Sequence, residues 1–243
     1  MTKLAIVGHG KMGRMIEQLA PESGFAVCCK FDGKSNSNGA GLTRDALQGA
    51  EVAIEFSRPD ACVANIERLA AAGVNIVCGT TGWYAQLPRV REIVQRSGIG
   101  FVWSSNFSVG VNLFAELVGE AARLFANRED YGAWGWEIHH ATKKDAPSGT
   151  MLQLVDEMKR AGYSREVNVA SSRAGAHPGT HEIGFDSAAD SITLRHTARS
   201  REGFARGALM AAKWVVGRRG VFEFRDVLFG SSGPGGVMNE EKI

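Results

Sequence analysis

The first hundred residues alternate short, mostly apolar runs with longer segments of helical periodicity. The apolar runs predict five buried strands, at Lys3–Val7, Phe25–Phe31, Glu51–Phe56, Asn75–Cys78 and Gly100–Trp103. Helical patterns separate them, at Lys11–Ala20, at Pro59–Gly73 with Ser57 as its cap, and at residues 84–96. Buried strands that alternate with helices are typical of a parallel sheet with helices on both faces.

The pattern changes after residue 107. A long helical pattern over Val109–Phe125 is followed by a strand-like run, Trp134–His139, and by a helical pattern from Thr150 to Ala161. Three more strand-like runs follow without helices between them, at Val167–Ser171, Thr180–Phe185 and Ser191–Thr197. The chain then has a last helix, about Phe204–Val216, and a short tail. This succession predicts a second sheet that is mostly antiparallel or mixed.

A glycine-rich turn follows the first strand. Its sequence, Gly8-His9-Gly10-Lys11-Met12-Gly13, is a G-x-G-x-x-G motif with a strand before it and a helix after it. Glycines let the backbone approach a pyrophosphate, and the helix N-terminus offers it free N–H groups and a partial positive charge. Asp32 ends the second strand, where a carboxylate accepts hydrogen bonds from the adenosine ribose of NAD, while Lys34 can tolerate the 2′-phosphate of NADP.

Two more polar loops follow strands of the same predicted sheet. Gly79-Thr80-Thr81-Gly82 follows the fourth strand, and Ser104-Ser105-Asn106-Phe107 follows the fifth. Ligands of open parallel sheets bind beyond the carboxyl ends of the strands, so both loops point to one crevice. We therefore expect an α/β protein. A Rossmann-type, doubly wound dinucleotide-binding domain for NADH or NADPH covers residues 1–107 and is completed by 202–243, and an α+β domain for substrate and oligomerisation covers 108–201.

Composition narrows the classes of function. The net charge of +2 and the lack of a dense basic stripe argue against a nucleic-acid partner. No apolar run approaches the ~20 residues of a membrane span, and the N-terminus has no signal-peptide pattern. The cysteines Cys28, Cys29, Cys62 and Cys78 have no CxxC spacing, which predicts no metal site. Three of them, Cys28, Cys29 and Cys78, lie in apolar runs, which predicts buried thiols, and a reducing cytoplasm fits. Ser231–Gly236 resembles a phosphate loop in composition only.

A dense polar segment runs from Glu137 to Thr150. His139 has a side chain that titrates near neutral pH, and Lys143 can hold an anion or polarise a reacting group. Ser148, Gly149 and Thr150 stand at a predicted helix start, where hydroxyl and backbone N–H groups can cradle a carboxylate. A solvated loop with a Ser/Thr cap is the alternative, but the clustering of these groups favours a functional site.

The string H-x-x-x-K-x-D-x-P-S-G-T, from His139 to Thr150, resembles the signature of the dihydrodipicolinate reductase family. The resemblance continues through Gly10–Gly13, Gly79–Gly82, Asn106–Ser108, Arg173–Gly175, Arg195-His196, Phe204-Ala205 and Arg225–Leu228. It implies hydride transfer from nicotinamide C4 to a small cyclic dicarboxylate, 4-hydroxy-tetrahydrodipicolinate, in lysine and diaminopimelate biosynthesis. It also implies a homotetramer built through the second domain.

The same resemblance implies roles for individual residues. His139 and Lys143 match the proton-transfer pair, and His140, Lys143, Gly149 and Thr150 match contacts to the substrate carboxylates. Matches to cofactor contacts fall at Gly8–Gly13, Asp32, Gly79–Thr81 and Ser104–Phe107. The chain departs from the usual pattern in a shorter glycine turn, a short stretch after Asp32, Ser104-Ser105 in place of Ala-Pro, and Met151 in place of Ala.

Two other functions fit parts of the sequence. Another small two-domain NAD(P) dehydrogenase, such as an aspartate dehydrogenase, would share the glycine turn but not Lys143 with Asp145–Thr150. A nucleotide sensor without activity would lack the proton donor and the carboxylate cradle. The remaining histidines suggest no metal site: His177 and His181 are only two, and His196 is expected to order a strand end or assist substrate binding.

Overall fold

The computed structural model describes residues 1–230, so Ser231–Gly236 lies outside the described part of the chain. The strands are β1 (Thr2–Val7), β2 (Phe25–Phe31), β3 (Val52–Glu55), β4 (Asn75–Cys78), β5 (Gly100–Trp103), β6 (Gly132–His139), β7 (Val167–Arg173), β8 (Thr180–Asp186), β9 (Ser191–Thr197) and β10 (Gly220–Glu223). The α-helices are α1 (Lys11–Leu19), α2 (Pro59–Ala71), α3 (Leu87–Ser97), α4 (Val109–Phe125), α5 (Gly149–Arg160), α6 (Glu202–Val215) and α7 (Phe224–Phe229). The chain divides into two compact units, Ser108–Gly203 and the residues on either side of it.

The first unit is built on a six-stranded parallel sheet in the order β10-β5-β4-β3-β1-β2. Every residue of β3 is buried, as expected of a strand covered by helices on both faces. Helix α2 begins with Pro59 in its first turn, and Gly73 follows its end with a positive φ of 77°. The expected cap is wrong, because Arg58 occupies the N-cap position and the Ser57 hydroxyl instead donates to Glu55.

The stretch after the last long helix is not the short tail that the sequence pattern predicts. Gly220–Glu223 forms β10, which pairs in parallel with Gly100–Trp103 at the edge of the sheet, and α7 follows it. The four residues of β10 include only two apolar side chains, Val221 and Phe222, whereas the equally short β4 and β5 have three each, so no apolar run marks it in the sequence. It forms here because the open edge of β5 supplies backbone hydrogen-bonding partners.

The second unit is built on a four-stranded mixed sheet in the order β7-β6-β8-β9. Strands β6 and β7 run parallel because α5 carries the chain between them, whereas the pairs β6–β8 and β8–β9 are antiparallel. The predicted fold class, a Rossmann-type parallel sheet followed by an α+β unit with a mixed sheet, is confirmed. Within the described residues, no helix combines the length and the apolar character that crossing a membrane requires.

Strand β6 positions the chemistry of the second unit. Its burial alternates residue by residue, so Ala133, Gly135, Glu137 and His139 share one buried face. The core of the unit includes Phe114, Val118, Met151, Leu154 and Phe185. Two ionisable side chains thus lie on the covered face of a sheet, where each needs polar partners to offset the loss of water.

Candidate functional site

The glycine turn after β1 has the close backbone packing that its sequence predicts. Gly8 has φ = 95°, and a Cβ there would lie 2.1 Å from the carbonyl oxygen of Phe56. A Cβ on Gly13 would lie 2.5 Å from the carbonyl oxygen of Gly8. Gly10, the N-cap of α1, has open space where its Cβ would be. The first-turn N–H groups of a helix have no partner within it, so this N-terminus fits an incoming phosphate group.

A cleft of about 350 Å³ lies beside this turn. Four of the predicted cofactor residues line it: Gly8, His9, Gly10 and Asp32. Sequence reasoning did not identify its other polar lining residues, Asn36, Ser37, Asn38, Ser57, Arg58 and Asn65. Their position along the chain could have indicated them. Asn36 to Asn38 come shortly after Asp32, which follows β2, and Ser57 and Arg58 come shortly after β3. Ligands of parallel sheets bind at this edge, where the strands end.

Asp32 is exposed at the rim of this cleft and held in a defined conformation. Its Oδ1 accepts hydrogen bonds from the backbone N–H groups of Lys34 and Ser35 at 2.9 and 2.8 Å, and from the Ser35 hydroxyl at 3.0 Å. These hydrogen bonds, that of the Ser35 N–H foremost, lower the pKa of Asp32 below its ordinary value. The carboxylate is therefore ionised at neutral pH and can accept hydrogen bonds from a ribose.

The other predicted cofactor residues of this unit lie outside the lining of that cleft. Lys11 is exposed, whereas His9, which does line the cleft, is engaged by Glu17, whose Oε2 lies 2.7 Å from His9 Nε2. Thr80 is buried and its hydroxyl accepts from the backbone N–H of Ser57 at 2.8 Å, which ties two loops together. Met12, Gly13, Gly79, Thr81, Ser104, Ser105 and Asn106 complete the set, with Phe107 buried in the core.

A buried polar network lies directly behind the cleft. The carboxyl group of Glu55 has no exposed surface and accepts from Asn65 Nδ2 at 3.1 Å, while Asn36 Nδ2 donates to Asn65 Oδ1 at 2.8 Å. The thiols of Cys62 and Cys78 lie 3.4 and 3.5 Å from Glu55 Oε2. The network connects residues of the cleft wall to the core of the sheet, so it fixes their positions.

In the second unit, the predicted site residues run from the last residue of β6 through a loop into the first turn of α5. His140 Nδ1 lies 2.8 Å from the Thr142 hydroxyl, and Lys143 Nζ donates to both carboxylate oxygens of Asp145 at 2.8 Å. Ser148 caps α5, because its hydroxyl accepts from the backbone N–H of Met151 at 3.2 Å. Gly149 is exposed, with open space where a side chain would be. The start of this helix is thus accessible to an anion.

Glu137 connects that helix start to His139. Its Oε1 accepts from the Ser148 backbone N–H at 2.9 Å, from the Ser171 hydroxyl at 2.9 Å and from Arg173 Nη2 at 2.8 Å. Its Oε2 lies 3.7 Å from His139 Nδ1 and 3.5 Å from His181 Nε2. Sequence reasoning missed Glu137, Arg173 and His181 as members of the site, since strand pairing brings the last two to Glu137.

The electrostatics of the cluster follow from burial and these contacts. Burial raises the pKa of Glu137, but the hydrogen bonds from Ser148, Arg173 and Ser171 outweigh it and lower the pKa to about 2. Burial lowers the pKa of His181 to about 4, and burial likewise lowers the pKa of His139 below its usual range. At neutral pH the cluster therefore holds an ionised carboxylate next to two neutral imidazoles.

Two groups of side chains in the described residues have the composition of a metal site: Glu55, Cys62 and Cys78, and Glu137, His139 and His181. Neither is a good fit. Hydrogen bonds already engage both carboxyl oxygens of Glu55, and burial raises the pKa of the Cys78 thiol well above its ordinary value. Glu137 already carries the guanidinium of Arg173. The prediction of no metal therefore stays a prediction.

Comparison with known proteins agrees with this arrangement. The family model described as "Dihydrodipicolinate reductase, N-terminus" matches residues 2–107, and "Dihydrodipicolinate reductase, C-terminus" matches residues 110–228. The 4-hydroxy-tetrahydrodipicolinate reductase of Christiangramia forsetii is 34% identical and that of Thiobacillus denitrificans 35%, each over 93% of this chain and 97% and 98% of their own lengths.

A solved structure shares the fold. The dipicolinate-bound dihydrodipicolinate reductase from Paenisporosarcina sp. TG-14 superposes with a TM-score of 0.78 at 20% identity, over 94% of this chain and all of that one. A probable dehydrogenase from Thermotoga maritima superposes with a TM-score of 0.56 at 10% identity, over 94% and 93%. The matches to both halves and the identities over nearly the full length agree with one another. The chain belongs to the dihydrodipicolinate reductase family.

Proposed function

We propose that this chain reduces 4-hydroxy-tetrahydrodipicolinate to tetrahydrodipicolinate with NADH or NADPH, in lysine and diaminopimelate biosynthesis. The observation that carries the proposal for the site is the position of Glu137, which accepts a hydrogen bond from the Ser148 N–H at the start of α5 and lies 3.7 Å from His139 Nδ1. Through Glu137, a side chain suited to proton transfer is connected to a helix N-terminus suited to a carboxylate. Membership of the family supplies the substrate and the reaction.

The first unit has the features of the cofactor domain. The nicotinamide ring supplies hydride at its C4. The open N-terminus of α1 at Gly10 supports a role of Gly8 to Gly13 in holding the pyrophosphate, and the ionised Asp32 supports a contact to the ribose. We expect the remaining contacts from the loops Gly79–Thr81 and Ser104–Phe107.

The substrate carboxylates fit the loop that ends at α5. Ser148, Gly149 and Thr150 surround the first turn of a twelve-residue helix, and Gly149 leaves the approach open. Lys143 is ion-paired with Asp145, so binding a substrate carboxylate would exchange one anion for another at the same ammonium group. We expect His140 to add a hydrogen bond to the same anion.

Proton transfer is assigned to His139, with Lys143 stabilising charge or donating a proton to the ring. Because burial lowers the pKa of His139, its imidazole is neutral at pH 7. A bound dianion would raise that pKa, since a nearby negative charge favours the imidazolium. In this proposal, substrate binding itself loads His139 with the proton that accompanies hydride transfer.

A coupled assay tests the proposed activity. The synthase of the preceding step generates the unstable substrate in place, and the loss of NADH absorbance reports turnover. We expect His139→Gln to lower kcat by ~10²–10⁴ with little change in KM, the usual scale of general acid–base catalysis. Lys143→Ala should lower kcat and also raise the substrate KM. Oxidation of aspartate with NAD⁺, and no turnover of the cyclic substrate, would favour an aspartate dehydrogenase.

Inhibition tests the two-carboxylate site. Pyridine-2,6-dicarboxylate has the ring and both anions of the substrate and should compete with it. Pyridine-2-carboxylate should bind far more weakly, because a cation left without its partner on binding costs ~2–5 kcal/mol. Equal inhibition by the two compounds would contradict a site with two carboxylate contacts.

Three features remain part of the proposal. NADH should serve at least as well as NADPH, since Asp32 would repel a 2′-phosphate while Lys34 would attract it.

A homotetramer is expected through the second unit, where Trp134 and Trp136 lie half-buried on the sheet face opposite Glu137. Light scattering and kinetics with both cofactors test these points, and the expected compartment is the cytoplasm.

A further inference from the structure

We infer that Glu137 is a positioning residue that fixes the tautomer of His139, so that Nδ1 carries a hydrogen toward Glu137 and Nε2 exchanges the proton in catalysis. The inference rests on the proposed function only for the catalytic role of Nε2. The pairing of the two side chains can be tested without any turnover.

The first observation is the unequal use of the two carboxylate oxygens. Oε1 of Glu137 accepts three hydrogen bonds, from Ser148, Ser171 and Arg173. Oε2 has no hydrogen-bond partner among the described residues, although it is fully buried. A buried ionised oxygen without a donor carries a large desolvation cost, so a donor that approaches it is strongly favoured.

The second observation is the side chain nearest to that oxygen on the same strand. His139 Nδ1 is 3.7 Å from Oε2, and it too is buried without a hydrogen-bond partner in the described chain. A hydrogen bond between Nδ1 and Oε2 would satisfy both atoms at once, and it requires this distance to shorten by about 0.7 Å. Only the tautomer with hydrogen on Nδ1 can do so, because a carboxylate accepts and does not donate.

The third observation concerns the opposite edge of the ring. Nε2 of His139 faces Gly179, where a Cβ would come within 3.0 Å of it. Gly179 has φ = 132°, a backbone conformation that residues with a side chain rarely adopt, so this position favours glycine. The edge of the imidazole that carries Nε2 therefore meets no side chain from residue 179.

His181 is the other candidate donor to Oε2. Its Nε2 is 3.5 Å from that oxygen but only 3.1 Å from the Ser148 hydroxyl. That hydroxyl also accepts from Met151, so it can donate its own hydrogen to Nε2 of a neutral His181. In this arrangement Nε2 of His181 accepts a hydrogen bond from the Ser148 hydroxyl. It therefore does not donate to Glu137 Oε2, and His139 Nδ1 can do so.

A metal ion on the same three ligand atoms is the competing interpretation. The guanidinium of Arg173, 2.8 Å from Oε1, already provides the positive charge that such a carboxylate needs. Adding a divalent ion would place a second cation beside it, which is repulsive in a buried site. The hydrogen-bonded pair requires no further charge.

The groups that set the protonation of His139 come from every element around it. They are Glu137 of β6, Arg173 of β7, His181 of β8, and Lys143 and Asp145 of the loop before α5. Of these, Glu137 raises the pKa of His139 most, against the lowering by burial. Removing its charge should therefore move the protonation of His139 to lower pH.

Ring ¹⁵N NMR on histidine-labelled protein tests the pairing directly, with His139→Gln to assign the signal. We expect the neutral His139 to be protonated on Nδ1, although a free imidazole side chain in water favours Nε2. An Nε2-protonated His139 would overturn the inference. This measurement needs no substrate, so it stands even if the chain proves inactive on the proposed substrate.

Kinetics on Glu137→Gln then test the consequence. We expect kcat to fall by about 10²-fold, with the substrate KM and the NADH dissociation constant changed less than about threefold. The limb of the kcat profile that reports His139 should move to lower pH, and Glu137→Asp should restore part of kcat. Unchanged kcat together with an unchanged limb would overturn the inference.

Two controls separate positioning from general damage. Ser172→Ala removes a hydrogen bond of the neighbouring strand, to Trp136 Nε1 at 3.2 Å, outside the Glu137 cluster, and should leave the pH profile as it is. Treatment with EDTA should leave the activity intact. Loss of activity on chelation, with recovery on adding Zn²⁺, would overturn the inference in favour of a metal site.

Discussion

Among residues 1–230, each unit buries one glutamate completely, and the partners of these two carboxyl groups differ in charge. Glu55 of the first unit is contacted by neutral donors, the side chains of Ser57, Asn65, Cys62 and Cys78. Glu137 of the second unit contacts a guanidinium and two imidazoles. A carboxyl group held by neutral donors can keep loops in place, whereas an ionised carboxylate beside histidines also sets their protonation. The first arrangement suits a cofactor wall and the second suits proton transfer.

The largest effect expected from this difference is on stability. Glu137→Ala would leave the guanidinium of Arg173 buried without its carboxylate, and breaking such a pair costs about 3–5 kcal/mol. Urea unfolding of the variant measures this loss. Arg173→Ala and the double variant complete a cycle, in which the double variant should lose less than the sum of the two. A loss below about 1 kcal/mol in Glu137→Ala would show that the pair is not a buried ion pair.

The second effect is sensitivity to acid, to which the buried cluster of the second unit should contribute most. The folded-state pKa of His181 is about 4, against an ordinary 6.5, so the folded protein binds fewer protons than the unfolded chain between these values. The stability that this provides, of order 3 kcal/mol, is complete above pH 6.5 and is lost as the pH falls toward 4. Glu137, with a pKa of about 2 against 4.5, adds a loss of the same sign below pH 4.5.

Unfolding free energies at about pH 7, 5.5 and 4.5 measure this dependence. The variant His181→Asn removes the titrating group and should flatten the slope between pH 6.5 and 4. An equally steep slope in that variant would assign the acid sensitivity to other groups.

The comparison also shows what the sequence could and could not provide. The glycine turn, Asp32 and the segment His139–Thr150 are local patterns, so they were recognisable without a structure. Glu137 forms its site through strand register: it pairs with Ser171 on β7 and with His181 on β8, and His139 pairs with Arg173. Alternation predicts that a strand exists, but the register depends on the turns and packing of the whole sheet.

The same reason explains the omissions in the first unit. Asn36 and Asn65 are 29 residues apart and meet through a hydrogen bond of 2.8 Å that no local pattern indicates. Strand β10 depends on the free edge of β5, which exists only once the sheet is formed. Apolar runs and glycine turns therefore predict the architecture well, while contacts between polar side chains of distant segments need the structure.

A third and smaller effect is expected at Glu55. Glu55→Gln keeps the shape of the side chain but replaces one carboxyl oxygen with an NH₂ group. That group would face Asn65 or the thiols, which donate to Glu55, so we expect a loss of about 1–2 kcal/mol of unfolding free energy. Because Ser57 and Asn65 line the cleft, the NADH KM should rise several-fold. The His139 limb of the pH profile should not move, in contrast to Glu137→Gln. A shift of that limb would remove the distinction between the two carboxyl groups.

The smallest effect is expected at Asp32, which is exposed and whose partners are the residues that follow it. Asp32→Ala should change the unfolding free energy by less than about 0.5 kcal/mol, as exposed substitutions usually do. It should nevertheless raise the NADH KM more than the NADPH KM, because the lost carboxylate binds a ribose hydroxyl of the first and repels the phosphate of the second. Lys34→Ala is the matched control: it removes the neighbouring positive charge and should weaken NADPH more than NADH. The measurement is the KM of each variant for NADH and for NADPH. If Asp32→Ala raises the NADPH KM more than the NADH KM, Asp32 does not bind the ribose of NADH.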